Sequence, residues 1–151
     1  MNNRQLKFRV WDKLEKRFIY PDKGYQGHYV LSLDGKFHNL QNGSGGDECV
    51  VQQFIGITDK NKKEIFEGDV VSFDGFAFKQ GIVSFLEGYS TYVIDVDKAL
   101  IQIPNIDFET FEVVGNIFEL PCNPDHNGEC LVCDCWLSDC PFNKQNDSSV
   151  I

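Results

Sequence analysis

Apolar residues recur along this chain with a period of two, and no stretch shows the 3.6-residue period of a long amphipathic helix. Period two puts alternate side chains on opposite faces of an extended strand, so the chain must cover itself by pairing strands. Leu6, Phe8 and Val10 alternate with Lys7, Arg9 and Trp11, the pattern of a half-buried strand. Residues 18–20 are expected to return as its partner after a turn at residues 12–15. Tyr29, Leu31 and Leu33 alternate again, Asp34-Gly35 is a hairpin-turn signal, and residues 37–40 form the returning strand. Residues 41–47, with Gly43, Ser44, Gly45 and Gly46, read as a loop.

Further strands are expected at residues 50–57, 70–73, 81–85, 92–96, 100–103 and 111–118. Polar or glycine turns separate them at residues 59–63, 67–69, 87–88 and 97–98. Short strands at this spacing imply a mainly β fold, with a small bent-sheet or SH3-like barrel over residues 66–119. The organisation expected is an N-terminal β-hairpin region at 1–48, a barrel-like core at 49–120, a zinc-binding appendage at 121–142 and a disordered tail at 143–151. At 151 residues, 42% of them hydrophobic and 13 of them Phe, the chain can bury a real core. No apolar run reaches the length of a membrane span, and the N-terminus is polar, so residence in the cytoplasm of the cell that makes it is expected.

Cysteines cluster near the C-terminus, in the order Cys122, His126, Cys130, Cys133, Cys135, Cys140. Thiolates spaced as Cys130 and Cys133 are can bind one metal ion, because the short turn between them points both sulfurs inward. In a reducing compartment this favours a structural zinc over a disulfide or free thiols, with iron as the other metal. Cys130, Cys133 and Cys140 are the first-choice ligands. Cys135 and His126 compete for the fourth place, and Cys122 is in reserve. Deaminase chemistry would need a Glu two residues after the His, where this chain has Gly128. Cys49 stands apart as an ordinary core cysteine, and His28 and His38 flank one hairpin as surface or edge residues.

Net charge is −9 and unevenly placed. Residues 1–63 hold 11 Lys/Arg against 7 Asp/Glu, whereas residues 64–143 hold 2 against 15. An acidic second half repels phosphate backbones and suits a basic protein surface. Asp95, Asp97, Asp107, Glu109 and Glu112 are the candidate partner-binding residues, since alternation puts Asp95 and Asp97 on one exposed face. In the first half, Arg4, Lys7, Arg9, Lys13, Lys16 and Arg17 interleave with Trp11, Phe18 and Tyr20. That combination fits single-stranded nucleic acid, the solvent face of an amphipathic hairpin, or the docking of a second copy to form a homodimer.

Three segments resemble the YopX family of phage and prophage proteins: KFRVWDK at 7–13, FIGITDKNKKEIFEGDVV at 54–71 and VVGNIFE at 113–119. Lys62 stands where the family more often has glycine, so that turn is expected to differ. The resemblance implies a mainly β fold and a phage or mobile-element origin, and brings no reaction with it. Gly56 and Gly68 suit positive backbone angles, and Asp59 and Asp69 suit capping of turns, so the signature reads as fold rather than active site. No Ser-His-Asp order, phosphate-binding loop or catalytic carboxylate pair stands out, so an enzyme is not expected. The leading expectation is a phage-encoded inhibitor that occupies the basic nucleic-acid surface of a host defence protein. An anti-CRISPR protein acting on a Cas9-type nuclease fits, with no nucleic acid bound directly. The alternatives are a zinc-containing nucleic-acid-binding regulator and a virion structural or assembly factor.

Overall fold

A computed structural model of the protein describes residues 5–20, 28–75, 80–96, 99–103 and 108–119. Eleven strands appear in them: β1 Phe8–Asp12, β2 Arg17–Ile19, β3 Tyr29–Leu31, β4 Phe37–Asn39, β5 Cys49–Thr58, β6 Glu64–Phe66, β7 Asp69–Ser72, β8 Gln80–Leu86, β9 Thr91–Val96, β10 Ala99–Gln102 and β11 Glu112–Asn116. Helix is confined, among the described residues, to three-residue 3-10 turns such as Gly46–Glu48 and Glu87–Tyr89. None of it is long and apolar enough to cross a membrane. The mainly β reading of the sequence is met.

Two sheets form the body, one ordered β2-β1-β5-β6 and the other β10-β9-β8-β7-β11, while β3 and β4 form a separate hairpin. Every strand pairing is antiparallel. Asp12 turns β1 into β2 by accepting the backbone N–H groups of Leu14 and Glu15, each at 3.0 Å. Strand β5 runs for ten residues and joins the two halves. Its first half pairs with β1 and its second with β6, and its register shifts between Phe54 and Thr58. Gly56 lies in that shift at φ +96°, an angle costly for any residue with a Cβ. Beyond the bend, Ile55 and Ile57 pack against the core of the other sheet.

That core gathers Ile65, Val71, Phe73, Val83, Ile94, Val96 and Phe111. Strands β7 to β10 form a meander that curls over it, and β11 returns to pair with β7. Each such side chain contributes about 1.5–3 kcal/mol on leaving water, so the cluster dominates the stability of this half.

Strand β6 was not expected from the sequence, several strand ends move by a residue or two, and two strands stop short for a visible reason. Strand β3 ends at Leu31, and Leu33 is fully exposed. Residues 32–36 close a tight turn in which Ser32 N–H donates to the Lys36 carbonyl at 2.9 Å, so alternation stops there. Strand β11 covers only Glu112–Asn116, because the Asn116 side chain accepts the Phe118 N–H at 3.1 Å and turns the chain.

Candidate functional site

Four polar side chains from four strands meet at the seam between the sheets. Arg9 comes from β1, Gln52 from β5, Asp69 from β7 and Asn116 from β11, and each is at most 4% exposed. The Arg9 guanidinium forms an ion pair with Asp69 through Nη2, and its Nε donates to Gln52 Oε1 at 2.9 Å. Asn116 Nδ2 donates to both Gln52 Oε1 and Asp69 Oδ1 at 3.2 Å. The second Asp69 oxygen accepts the Phe66 N–H at 2.9 Å. The Phe18 and Phe66 rings lie 4.5 and 4.6 Å from the guanidinium carbon, which adds cation–π attraction in a dry setting.

Burying a charge is costly unless it is paired and hydrogen-bonded, and here both conditions are met. No buried side-chain nitrogen or oxygen among the described residues lacks a partner. Gly68, at φ +75°, belongs to the same seam, since a Cβ there would collide with the Gln52 amide. Its N–H donates to the Val83 carbonyl at 2.8 Å, and its carbonyl accepts the Ile117 N–H at 2.9 Å. The seam is thus a lock between sheets, with its polar valences consumed internally.

Asp59 plays a similar part in the β5–β6 turn. Its Oδ1 accepts the N–H groups of Asn61 (2.8 Å) and Lys63 (2.9 Å), and its Oδ2 accepts that of Val113 on β11 (3.0 Å). Burial opposes ionisation, but these donors outweigh it and hold the carboxyl below its ordinary value. Lys62 occupies the left-handed position of this turn at φ +64°. The turn therefore keeps a glycine-type geometry, and the lysine carries the strain.

The candidate metal ligands Cys130, Cys133, Cys135, Cys140 and His126, with Cys122 in reserve, lie outside the described residues. Among the described residues no group of three or more His, Cys, Asp or Glu is placed to hold a metal. Cys49 on β5 is partly buried, and burial, then Asp12 and Glu48, push its thiol pKa up, away from nucleophilic chemistry. His28 and His38 are both exposed and share one face of the β3–β4 hairpin by register.

Of the acidic candidates, Asp95 is exposed on β9, on the outer face of the five-stranded sheet beside Leu100 of β10. Glu112 lies on the same face of β11 and pairs with Lys60. Glu109 is exposed in the turn Phe108–Thr110. Asp97 and Asp107 lie outside the described residues. Asp74, Glu87 and Glu119 are exposed as well, and between Asp69 and Glu119 no described residue is Lys or Arg. Apart from Lys60, which reaches Glu112 from the β5–β6 turn, the exposed charge of this half is acidic among the described residues.

The basic N-terminal stretch is arranged differently from its sequence appearance. Arg9 and Trp11 are buried, Lys7 pairs with Glu64 at 2.8 Å, and Lys13 donates to the Asp47 carbonyl at 2.8 Å. Lys16 and Arg17 stay exposed. Phe118 stacks on Trp11 with ring centroids 5.3 Å apart, so that indole offers no open face to a base. Sequence reasoning did not foresee the seam. The signal available was Gln52 amid the apolar residues of β5.

Residues 7–123 match the family model for YopX protein. A search of the curated proteins found no match. Two solved structures resemble the fold. Protein EF1440 from Enterococcus faecalis is 23% identical, with a TM-score of 0.49 over 78% of this chain and 96% of that one. Protein yopX from Bacillus subtilis is 16% identical, with a TM-score of 0.49 over 80% of this chain and 97% of that one.

Proposed function

The chain belongs to the YopX family of phage-type proteins, and from that premise we propose that it is a non-catalytic binding protein that occupies a basic surface on a host defence enzyme. A nuclease of the Cas9 type is the target class that fits best, because its channel for nucleic acid is lined with positive charge. The observation that carries this reading is the acidic surplus exposed on the five-stranded half among the described residues, Asp74, Glu87, Asp95, Glu109 and Glu119, with Lys60 paired to Glu112. Acidic side chains steer a protein toward basic surfaces and away from nucleic acid itself. The internal satisfaction of the seam supports the non-catalytic part: the family signature residues Arg9, Asp59, Gly68, Asp69 and Asn116 are engaged in holding the fold. Asp95, Glu109 and Glu112 are the proposed contact residues with described positions, joined by Asp97 and Asp107. The inhibitor works in the cytoplasm of the bacterial host.

The C-terminal segment holds one structural zinc in this reading, through Cys130, Cys133, Cys140 and either Cys135 or His126. The Cys130–Cys133 spacing supports it. Affinity capture from a nuclease-treated lysate of bacteria expressing a Cas9-type enzyme tests the function. A stoichiometric, salt-sensitive complex with that enzyme is expected, and it should be lost in an Asp95→Lys/Glu109→Lys variant. Recovery of nucleic acid alone, with the purified chain binding DNA in a salt-dependent way, would replace the reading with a nucleic-acid-binding regulator.

A further inference from the structure

A groove of about 330 Å³ lies between the β1–β2 and β3–β4 hairpins. Phe8, Val10, Ile19, Tyr29 and Leu31 form much of its lining, and Lys7 is the one charged lining residue among the described residues. Leu6 at 65%, Val30 at 41% and Leu31 at 36% exposure leave apolar surface open along it. Contiguous apolar surface of this kind on a soluble chain marks a binding site. We propose that its occupant is the C-terminal segment of this same chain, anchored by Trp136 and Leu137.

Position, length, composition and charge select this occupant. Phe118 stacks on Trp11, so the described fold ends at Glu119 against β1. The register places Phe8 and Val10 on the opposite side of β1 from Arg9 and Trp11, and those two residues line the groove. Glu119, the last described residue, therefore lies roughly one sheet thickness from the groove. Trp136 follows Glu119 by 17 positions, and that length of chain reaches roughly 55 Å when extended, against a path of roughly 20 Å around the short β2 edge. The segment's larger apolar side chains include Leu131, Val132, Trp136, Leu137 and Phe142, too few to form a core of their own. Laying the indole in the groove covers both surfaces at once.

Charge decides which half receives the segment. It carries Asp125, Glu129, Asp134, Asp139 and Asp147 against Lys144. The five-stranded half repels it, while the exposed charges of the two hairpins, Lys13, Lys16, Arg17 and Lys36 against Glu15 and Asp34, leave a positive surplus around the groove even with Lys36 paired to Asp34. A second copy could present the same chemistry, but a tethered segment acts at an effective concentration in the millimolar range and wins at ordinary protein concentrations.

The test uses the full chain with Trp11→Phe, which leaves Trp136 as the only indole. Expected are a blue-shifted emission and weak acrylamide quenching, both moved toward the values of an exposed indole by Leu31→Lys in that background. Far-UV circular dichroism checks that each variant folds. A second measurement, on the otherwise native chain, is hydrogen exchange at residues 29–31, which should speed up in Trp136→Ser. An exposed-type Trp136 overturns the proposal, as does a buried one indifferent to Leu31→Lys. A blue shift that disappears on dilution, as light scattering shows a dimer dissociating, would assign the groove to a second copy and also overturn it.

Discussion

Replacing Asp69 with Asn removes one charge from the seam and almost no volume. The native carboxylate accepts from Arg9, Asn116 and the Phe66 N–H. An amide has one acceptor oxygen, so its NH₂ group must face one of these donors. Arg9 stays charged at 4% exposure with no counter-ion, which typically costs about 3–5 kcal/mol, including the penalty for the unpaired donor. Domains of this kind hold roughly 5–15 kcal/mol in total, so the loss is a large fraction. At an m-value of about 2 kcal/mol/M in urea, the unfolding midpoint should fall by roughly 2 M. Circular dichroism and Trp fluorescence should report coincident transitions. A double variant, Arg9→Met/Asp69→Leu, removes both charges together. Gln52 and Asn116 still bond each other at 3.2 Å, and the main new deficit is the Phe66 N–H, worth about 1–3 kcal/mol. The double variant should therefore be more stable than either Asp69→Asn or Arg9→Met alone. An Asp69→Asn loss under about 1 kcal/mol, or a double variant as damaged as the sum of the singles, would refute the seam as a charge-paired lock.

Asp59→Asn should destabilise by about 1–3 kcal/mol at neutral pH through the Val113 N–H it leaves without an acceptor. A carboxyl held below its unfolded value contributes stability that is present above about pH 4 and lost as pH falls through the folded-state value. The gap between this variant and the native chain should therefore narrow toward about pH 2 in acid-unfolding curves. Lys62→Gly should raise stability by about 0.5–1 kcal/mol in thermal or urea unfolding, because the left-handed position costs a lysine more than a glycine. Zinc chelation should make residues 122–142 protease-sensitive while the β1–β11 body stays resistant; resistance retained in chelator with no metal bound would count against the zinc site.

Much of the fold was legible because period two survives in almost every strand. Asp95 was readable as exposed because Ile94 and Val96 on either side of it needed the core. Asp34-Gly35 marked its hairpin, and Gly56 and Gly68 marked backbone that only glycine adopts cheaply. Alternation alone put Arg9 on the wet face of β1. It cannot see that a second sheet covers that face, since Asp69 lies sixty residues on. The pairing of β1 with β5 was hidden for the same reason: distant strands carry no local signal of their register. The Leu31–Leu33 alternation misled because the Ser32–Lys36 backbone bond closes a turn that side-chain pattern does not encode. The acidic surface was visible as composition, and its place on one sheet came only with the topology.

The most direct test of the functional account is the DNA affinity of a guide-loaded Cas9-type nuclease titrated with the full chain. Binding to a basic surface predicts stoichiometric loss of DNA binding, weakened by salt. Asp95→Lys/Glu109→Lys should be at least about tenfold less effective, the equivalent of roughly 1.4 kcal/mol of interface energy. Unchanged DNA binding in the presence of the native chain, or equal potency of the charge-reversed chain, would contradict it.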